Sequence, residues 1–153
     1  MPCCSKIYKE RRLVVTTASG KFTFAEGVAN EDRLYADPDF DPSFDHLIDG
    51  RHVTKAEISA TELSSLARRS RFSPKARQAL VVTSTVLYGL ARMFQAYMEV
   101  SRSSESIAVF KELEKAKEWL GVTGELWRFR PCEESLFSAY AIVCPHRVLC
   151  VRS

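Results

Sequence analysis

An α/β domain on a mixed sheet, entered through an antiparallel hairpin, is the fold class this sequence predicts. Strand-like and helix-like patterns alternate along most of the chain. The run "QALVVTS" is short, continuous and rich in β-branched residues, the signature of a strand covered by helices on both faces. At 153 residues the chain is long enough to bury one sizeable core without disulfide staples, so one compact domain follows.

The elements follow in order. "IYKERRLVVTTASGKFTF" carries a β pattern centred on Leu13, Val14 and Val15, with Ser19-Gly20 as the expected hairpin turn. Thr23 and Glu26 form a capping box for a helix running to about Asp37, with Val28, Leu34 and Tyr35 inward. "DPDFDPSFD" breaks the chain. "HLIDGR" is a short strand ending at Asp49 and Gly50, and Ser59 with Glu62 forms a second capping box that opens "ATELSSLARRS". "QALVVTS" is followed by the helix "TSTVLYGLARMFQAYMEV", then the strand "SIAVF", then "KELEKAKEWLG" with Leu113, Ala116 and Leu120 inward and Gly121 as C-terminal cap.

The helix from Thr83 to Val100 carries more apolar surface than one packing face requires. Tyr88, Arg92, Gln95 and Glu99 fill a polar band roughly 60° wide. Val86, Leu90, Met93, Tyr97 and Val100 make one apolar stripe, expected on the sheet because it holds more large and β-branched members. Leu87, Ala91, Phe94 and Met98 make another, roughly 110° away, expected to meet a second copy of the chain. Gly89 and Ala96 permit close approach on the remaining flank.

Composition narrows the function classes. Charged residues at 27% and hydrophobic ones at 46% are ordinary for a soluble domain, and no apolar run reaches the length of a membrane span. "MPCCSKIYKERR" has no apolar core of a secretory signal, so a cytoplasmic protein is expected, with residues 1–5 a flexible start. Five cysteines, all near the ends, do not make the framework of a small secreted scaffold. From Glu26 to Asp49 there are eight acids against Arg33, and "RRSRFSPKAR" holds five bases and no acid. These blocks read as solvated segments facing each other, and with Phe72 as the only aromatic in the basic block no nucleic-acid platform is expected.

Catalytic and metal constellations are sparse. His46 and His52 lack a nearby cysteine and read as exposed or capping. Asp37, Asp39 and Asp41 match the start of a calcium loop, but Pro42 stands where that loop needs glycine and Ile48 where it needs glutamate. Cys144, His146 and Cys150 form too incomplete a set for zinc. Thr83, Ser84 and Thr85 stand where a strand end meets a helix start, a candidate anion or ligand site. No metal, no cofactor and no enzymatic activity are expected.

"HLIDGRHVTKAEISATELSSLA" at the centre of this order resembles the SpoIIAA-like fold of STAS domains. "DPDFDPSFDHLIDGR", "YGLARMFQ" and "VFKELEKAKEWLG" are similar to small stand-alone bacterial STAS/SEC14-like proteins of uncharacterised function. The likeness covers residues 6–122 and leaves 123–153 as a C-terminal extension. It implies a regulatory or protein-interaction module with an unknown protein partner or, on its SEC14-like side, a binder of a small apolar ligand such as a lipid. The antagonist family carries a phosphorylation switch, an Asp-Ser-Ser-Gly run. Here the corresponding segment is Glu57-Ile58-Ser59-Ala60-Thr61, so Asp49, Glu57, Ser59 and Thr61 are the candidate switch or docking loop. A phosphate on Ser59 or Thr61 would lie at a helix N-terminus, where free N–H groups and the helix dipole favour it.

Overall fold

The computed structural model describes residues 3–102 and 106–123. Strand β1 (Cys3–Tyr8) turns through a short 3-10 helix (Lys9–Arg11) into β2 (Leu13–Thr23), and α1 (Phe24–Ala36), β3 (Asp45–Glu57), α2 (Ala60–Arg69), β4 (Gln78–Val81), α3 (Thr85–Arg102), β5 (Ile107–Phe110) and α4 (Leu113–Leu120) follow. The sheet order is β1-β2-β3-β4-β5. β1 pairs antiparallel with β2, and every later pairing is parallel. Each parallel connection is a helix, as parallel strands require.

Both capping boxes form. Thr23 Oγ1 accepts from the Glu26 backbone N–H while Glu26 accepts from Thr23, and Ser59 and Glu62 do the same for α2. Gly121 ends α4 at φ 70°, a left-handed cap that glycine adopts without strain.

The hairpin turn lies elsewhere than expected. Tyr8 pairs with Leu13, so the reversal is made by Lys9–Arg12, with Arg12 itself left-handed at φ 51°. Gly20, at φ 65°, instead serves an irregularity in the long β2–β3 pairing, whose register shifts between Gly20 and Lys21. β3 also does not end at Gly50. His52 to Glu57 go on pairing with Ser19 to Thr23, and Gly50 passes so close to β4 that an added Cβ would stand 3.1 Å from Val82 Cγ1. Cys3 to Ser5 of the expected flexible start belong to β1, and Cys3 is buried.

The sheet has two unlike faces. Leu13 and Val15 of β2, Leu47 of β3 and Ala79 and Val81 of β4 pack with Ala116 and Leu120 of α4. The alternate residues point to the opposite face, which α1, α2 and α3 cover. There α2 packs against α3 and α1 more closely than against any strand. Leu66 of α2 lies where a Cβ on Gly27 of α1 would meet its Cδ1 at 3.0 Å, so a glycine lets these two helices touch.

α3 is turned opposite to the expected way. Leu87, Ala91 and Met98, the stripe assigned to a second copy, are buried in the chain's own core, and Phe94 packs beside them. Val86, Met93 and Val100 of the other stripe are 75%, 38% and 85% exposed. The reason is position: α3 packs against both α2 and the sheet edge at β5, so its buried arc is set by two neighbours. Leu90 and Tyr97 flank that arc and are partly buried.

The acidic and basic blocks meet within the chain. Arg69 pairs with Glu31 and Asp32, and Arg77 with Asp45. Arg77 also donates to the carbonyls of Trp119 and Leu120 at 2.9 and 2.7 Å, closing the C-terminus of α4.

Candidate functional site

Between the sheet and α1, α2 and α3 lies a cavity of about 180 Å³. It exists because α2 rests on its neighbouring helices and leaves the strands beneath it partly uncovered. Its floor follows β3, touching His46, Ile48, Gly50, Val53 and Ala56 in turn. From His46 to Ala56 the strand rises roughly 30 Å at ~3.3 Å per residue, so the lining is elongated along β3. Leu63 and Leu66 of α2 and Leu87, Leu90 and Phe94 of α3 roof it.

A line of polar side chains crosses the sheet beneath one end. Asn30 Nδ2 donates to Ser5 Oγ at 3.0 Å, Ser5 Oγ and Thr16 Oγ1 share a hydrogen bond of 2.7 Å, and Thr16 Oγ1 and His46 Nε2 one of 2.8 Å. His46 is 8% exposed and its ring stacks on Phe72, with centroids 4.5 Å apart and planes 12° from parallel. Burial pushes its pKa down to about 4, while the Gln78 side chain beside it acts in the opposite direction. Gln78 influences the ring yet leaves Nδ1 without a formed hydrogen bond. His46 is therefore neutral at ordinary pH and buried, the reverse of the exposed or capping residue expected. An inward position at the start of a strand covered on both faces was the signal for it.

Glu31 stands at the same end of the cavity. Burial raises its carboxyl to about 7, against the opposing pull of Arg69, whose Nε donates to Glu31 Oε2 at 3.1 Å. Burial likewise pushes the Cys3 thiol up to about 12, which makes it a poor nucleophile.

Of the residues singled out from the sequence, Leu87, Ala91 and Phe94 line this cavity, whereas the candidate switch and anion residues lie apart from it and partly from one another. Asp49 is mid-strand in β3, buried, its carboxylate held by Arg51 Nε and Nη2 at 2.9 and 2.8 Å, so it is no part of a loop with Ser59. Glu57 ends β3 between Lys21 and Lys55, whose hydrogen bonds hold its carboxyl down at about 2. Ser59 is the N-cap of α2, and its hydroxyl also donates to Glu62 Oε2 at 2.8 Å. A phosphate on Ser59 would displace that carboxylate and face it at close range. Thr61 is exposed in the first turn of α2. Thr83, Ser84 and Thr85 are exposed where β4 gives way to α3, the place expected, and do not line the cavity. Among the described residues no group of three His, Cys, Asp or Glu side chains is arranged to hold a metal. Cys132, Cys144, His146 and Cys150 lie outside the described residues, as does the extension apart from Thr123.

A five-stranded mixed sheet, begun by an antiparallel pair and covered by three helices on one face and one on the other, can be set against solved structures. The crystal structure of an uncharacterized protein of the DUF3478 family with a SpoIIAA-like fold, from Shewanella loihica PV-4, is similar at a TM-score of 0.50 and 16% identity, over 77% of this chain and 91% of that one. The fold is SpoIIAA-like. No family model matches the chain, and no curated protein matches it. Within the SpoIIAA-like frame the capped turn before α2 is present, while the cavity lies beneath α2 rather than at that turn. No helix among the described residues is long and apolar enough to cross a membrane.

Proposed function

We propose that this protein is a non-enzymatic, cytoplasmic binding module whose cavity takes one extended hydrocarbon chain, such as a single acyl chain. The observation that carries the reading is the overwhelmingly apolar lining of the cavity, which follows β3 beneath α2 and α3. Apolar cavities of comparable size stay dry and bind hydrocarbons, because filling them restores dispersion contacts without displacing well-held water. A hydrolytic or transfer reaction lacks support here: His46 has a hydroxyl neighbour in Thr16, but among the described residues Nδ1 has no orienting carboxylate. Purified protein extracted into organic solvent is expected to release a chain-bearing amphiphile in near-stoichiometric amount by mass spectrometry. Ala56→Leu, which places a larger side chain in the cavity, is expected to weaken decanol binding at least about tenfold. Absence of saturable decanol binding to the wild-type chain would sink the reading.

A second reading, interaction with a protein, is favoured by the outer face of α3. Val86, Gly89, Met93, Ala96 and Val100 are all exposed and recur at intervals of three and four residues, the spacing of a helix–helix seam, and a Cβ on Gly89 would meet nothing within 4 Å. The partner that fits is a second copy of the chain. Sedimentation velocity at micromolar protein is expected to show a dimer that Met93→Glu converts to a folded monomer, and a wild-type monomer would remove this reading.

A further inference from the structure

We infer that the cavity selects an amphiphile with a neutral, hydrogen-bond-donating head, that of a long-chain alcohol or a monoacylglycerol, over one with an anionic head. The inference rests on the acyl-chain reading above and adds the chemistry of the head group. The lining is unequal along the strands. Toward the C-terminal ends of β2 and β3 it is made by Phe22, Val53, Ala56, Leu63 and Leu87, and toward their beginnings Thr16, Asn30, Glu31, His46, Ser70 and Gln78 join the apolar Leu34, Tyr35 and Phe72. An amphiphile therefore has one favourable direction, tail toward Ala56 and head toward Glu31, since the reverse would bury its polar end among hydrocarbon.

Charge then decides the head. Among the described residues that line the cavity Glu31 is the one acid, and there is no lysine or arginine. The cations near that end lie outside the lining and are engaged: Arg69 through Nε to Glu31 at 3.1 Å and Nη2 to Asp32 at 2.6 Å, Arg33 through Nη2 to the Cys3 carbonyl at 3.0 Å, and Arg71 over the Tyr35 ring. His46 and Cys3 are held neutral by burial and supply no positive charge. A carboxylate or phosphate head would thus be desolvated next to Glu31 with no countercharge of its own, the costliest arrangement for an anion. A hydroxyl donates to the Glu31 carboxylate and accepts from a side-chain amide of the Asn30 or Gln78 kind, so it leaves no buried polar group unmade.

The test is calorimetric titration of the full chain at pH 8 with decanol and with decanoate, which share a tail and differ in head charge. Decanol is expected to bind at least about tenfold more tightly to the wild type. Glu31→Gln is expected to narrow that ratio at least about threefold by strengthening decanoate, with decanol changed less than about twofold. Decanoate binding as tightly as decanol to the wild type, or a ratio unmoved by Glu31→Gln, overturns the head-group inference and leaves the acyl-chain reading standing. Failure of both probes to bind overturns that reading and the inference with it. If Glu31→Gln does not fold, decylammonium on the wild type reads the same charge: it must bind at least as tightly as decanol, and weaker binding overturns the inference.

Discussion

The two faces of one sheet are built to different ends. On the α4 face, Leu13, Leu47, Ala79, Val81 and Ala116 leave at most a trace of surface to solvent, and the side chains meet in one closed cluster. On the face covered by α1, α2 and α3, the cores break into separate clusters around a cavity, and His46, Thr16 and Gln78 occupy inward positions that the first face gives to aliphatics. The same strands supply both, because successive residues point to opposite sides. Their difference teaches where stability and binding are separated. One helix lying directly on the strands closes a core, while a helix held up by its neighbours leaves room for a guest.

The contrast is tested most severely by deletion of buried volume. Leu47→Ala on the closed face is expected to cost about 3 to 4 kcal/mol in urea unfolding, with lost transfer energy and a new cavity both counted. Leu66→Ala, on the roof of an existing cavity, is expected to cost about 2 kcal/mol, because fewer packed contacts are lost there. Equal costs would erase the distinction between the faces.

Acidification sharpens it next. His46, with its folded pKa near 4 below its ordinary 6.5, contributes stability that is present above pH 6.5 and lost as pH falls toward 4. Glu31 has the opposite sign: raised from 4.5 to about 7, its contribution is present below pH 4.5 and lost as pH rises through 7. Between about pH 4.5 and 6.5 the two slopes oppose, so Glu31→Gln is expected to unmask a loss of up to roughly 3 kcal/mol on acidification that the wild type largely conceals. The check is chemical unfolding across that range, and a variant no more acid-sensitive than the wild type would contradict a buried neutral His46.

The smallest expected effect is at the contact between α1 and α2. Gly27→Ala brings a methyl within 3.0 Å of Leu66 Cδ1, but Leu66 borders the cavity and has space into which to yield. The gain of about 1 kcal/mol in helix propensity then offsets the crowding, and thermal unfolding is expected to shift by no more than about 1 kcal/mol either way. A loss of several kcal/mol would mean that this roof is as tightly packed as the α4 face.

Local chemistry was legible in the residues themselves. Thr23 with Glu26, Ser59 with Glu62, and Gly121 each act through backbone groups a few positions away, so the two capping boxes and the C-terminal cap of α4 stand where the chain alone placed them. The alternation of strand and helix, and with it the SpoIIAA-like α/β order, follows from hydrophobic periods that are also local. What a residue faces across the fold is not local. Ser19-Gly20 has the composition of a turn, yet pairing of β1 with β2 put the reversal at Lys9–Arg12 and left Gly20 to an irregularity beside β3. The two stripes of α3 differ little in hydrophobicity, and packing against both α2 and β5 decided that Leu87, Ala91 and Met98 are inside and Val86, Met93 and Val100 outside. The cavity is the furthest from the sequence, since it is the space left when α2 rests on helices, and an empty volume has no residue of its own to announce it.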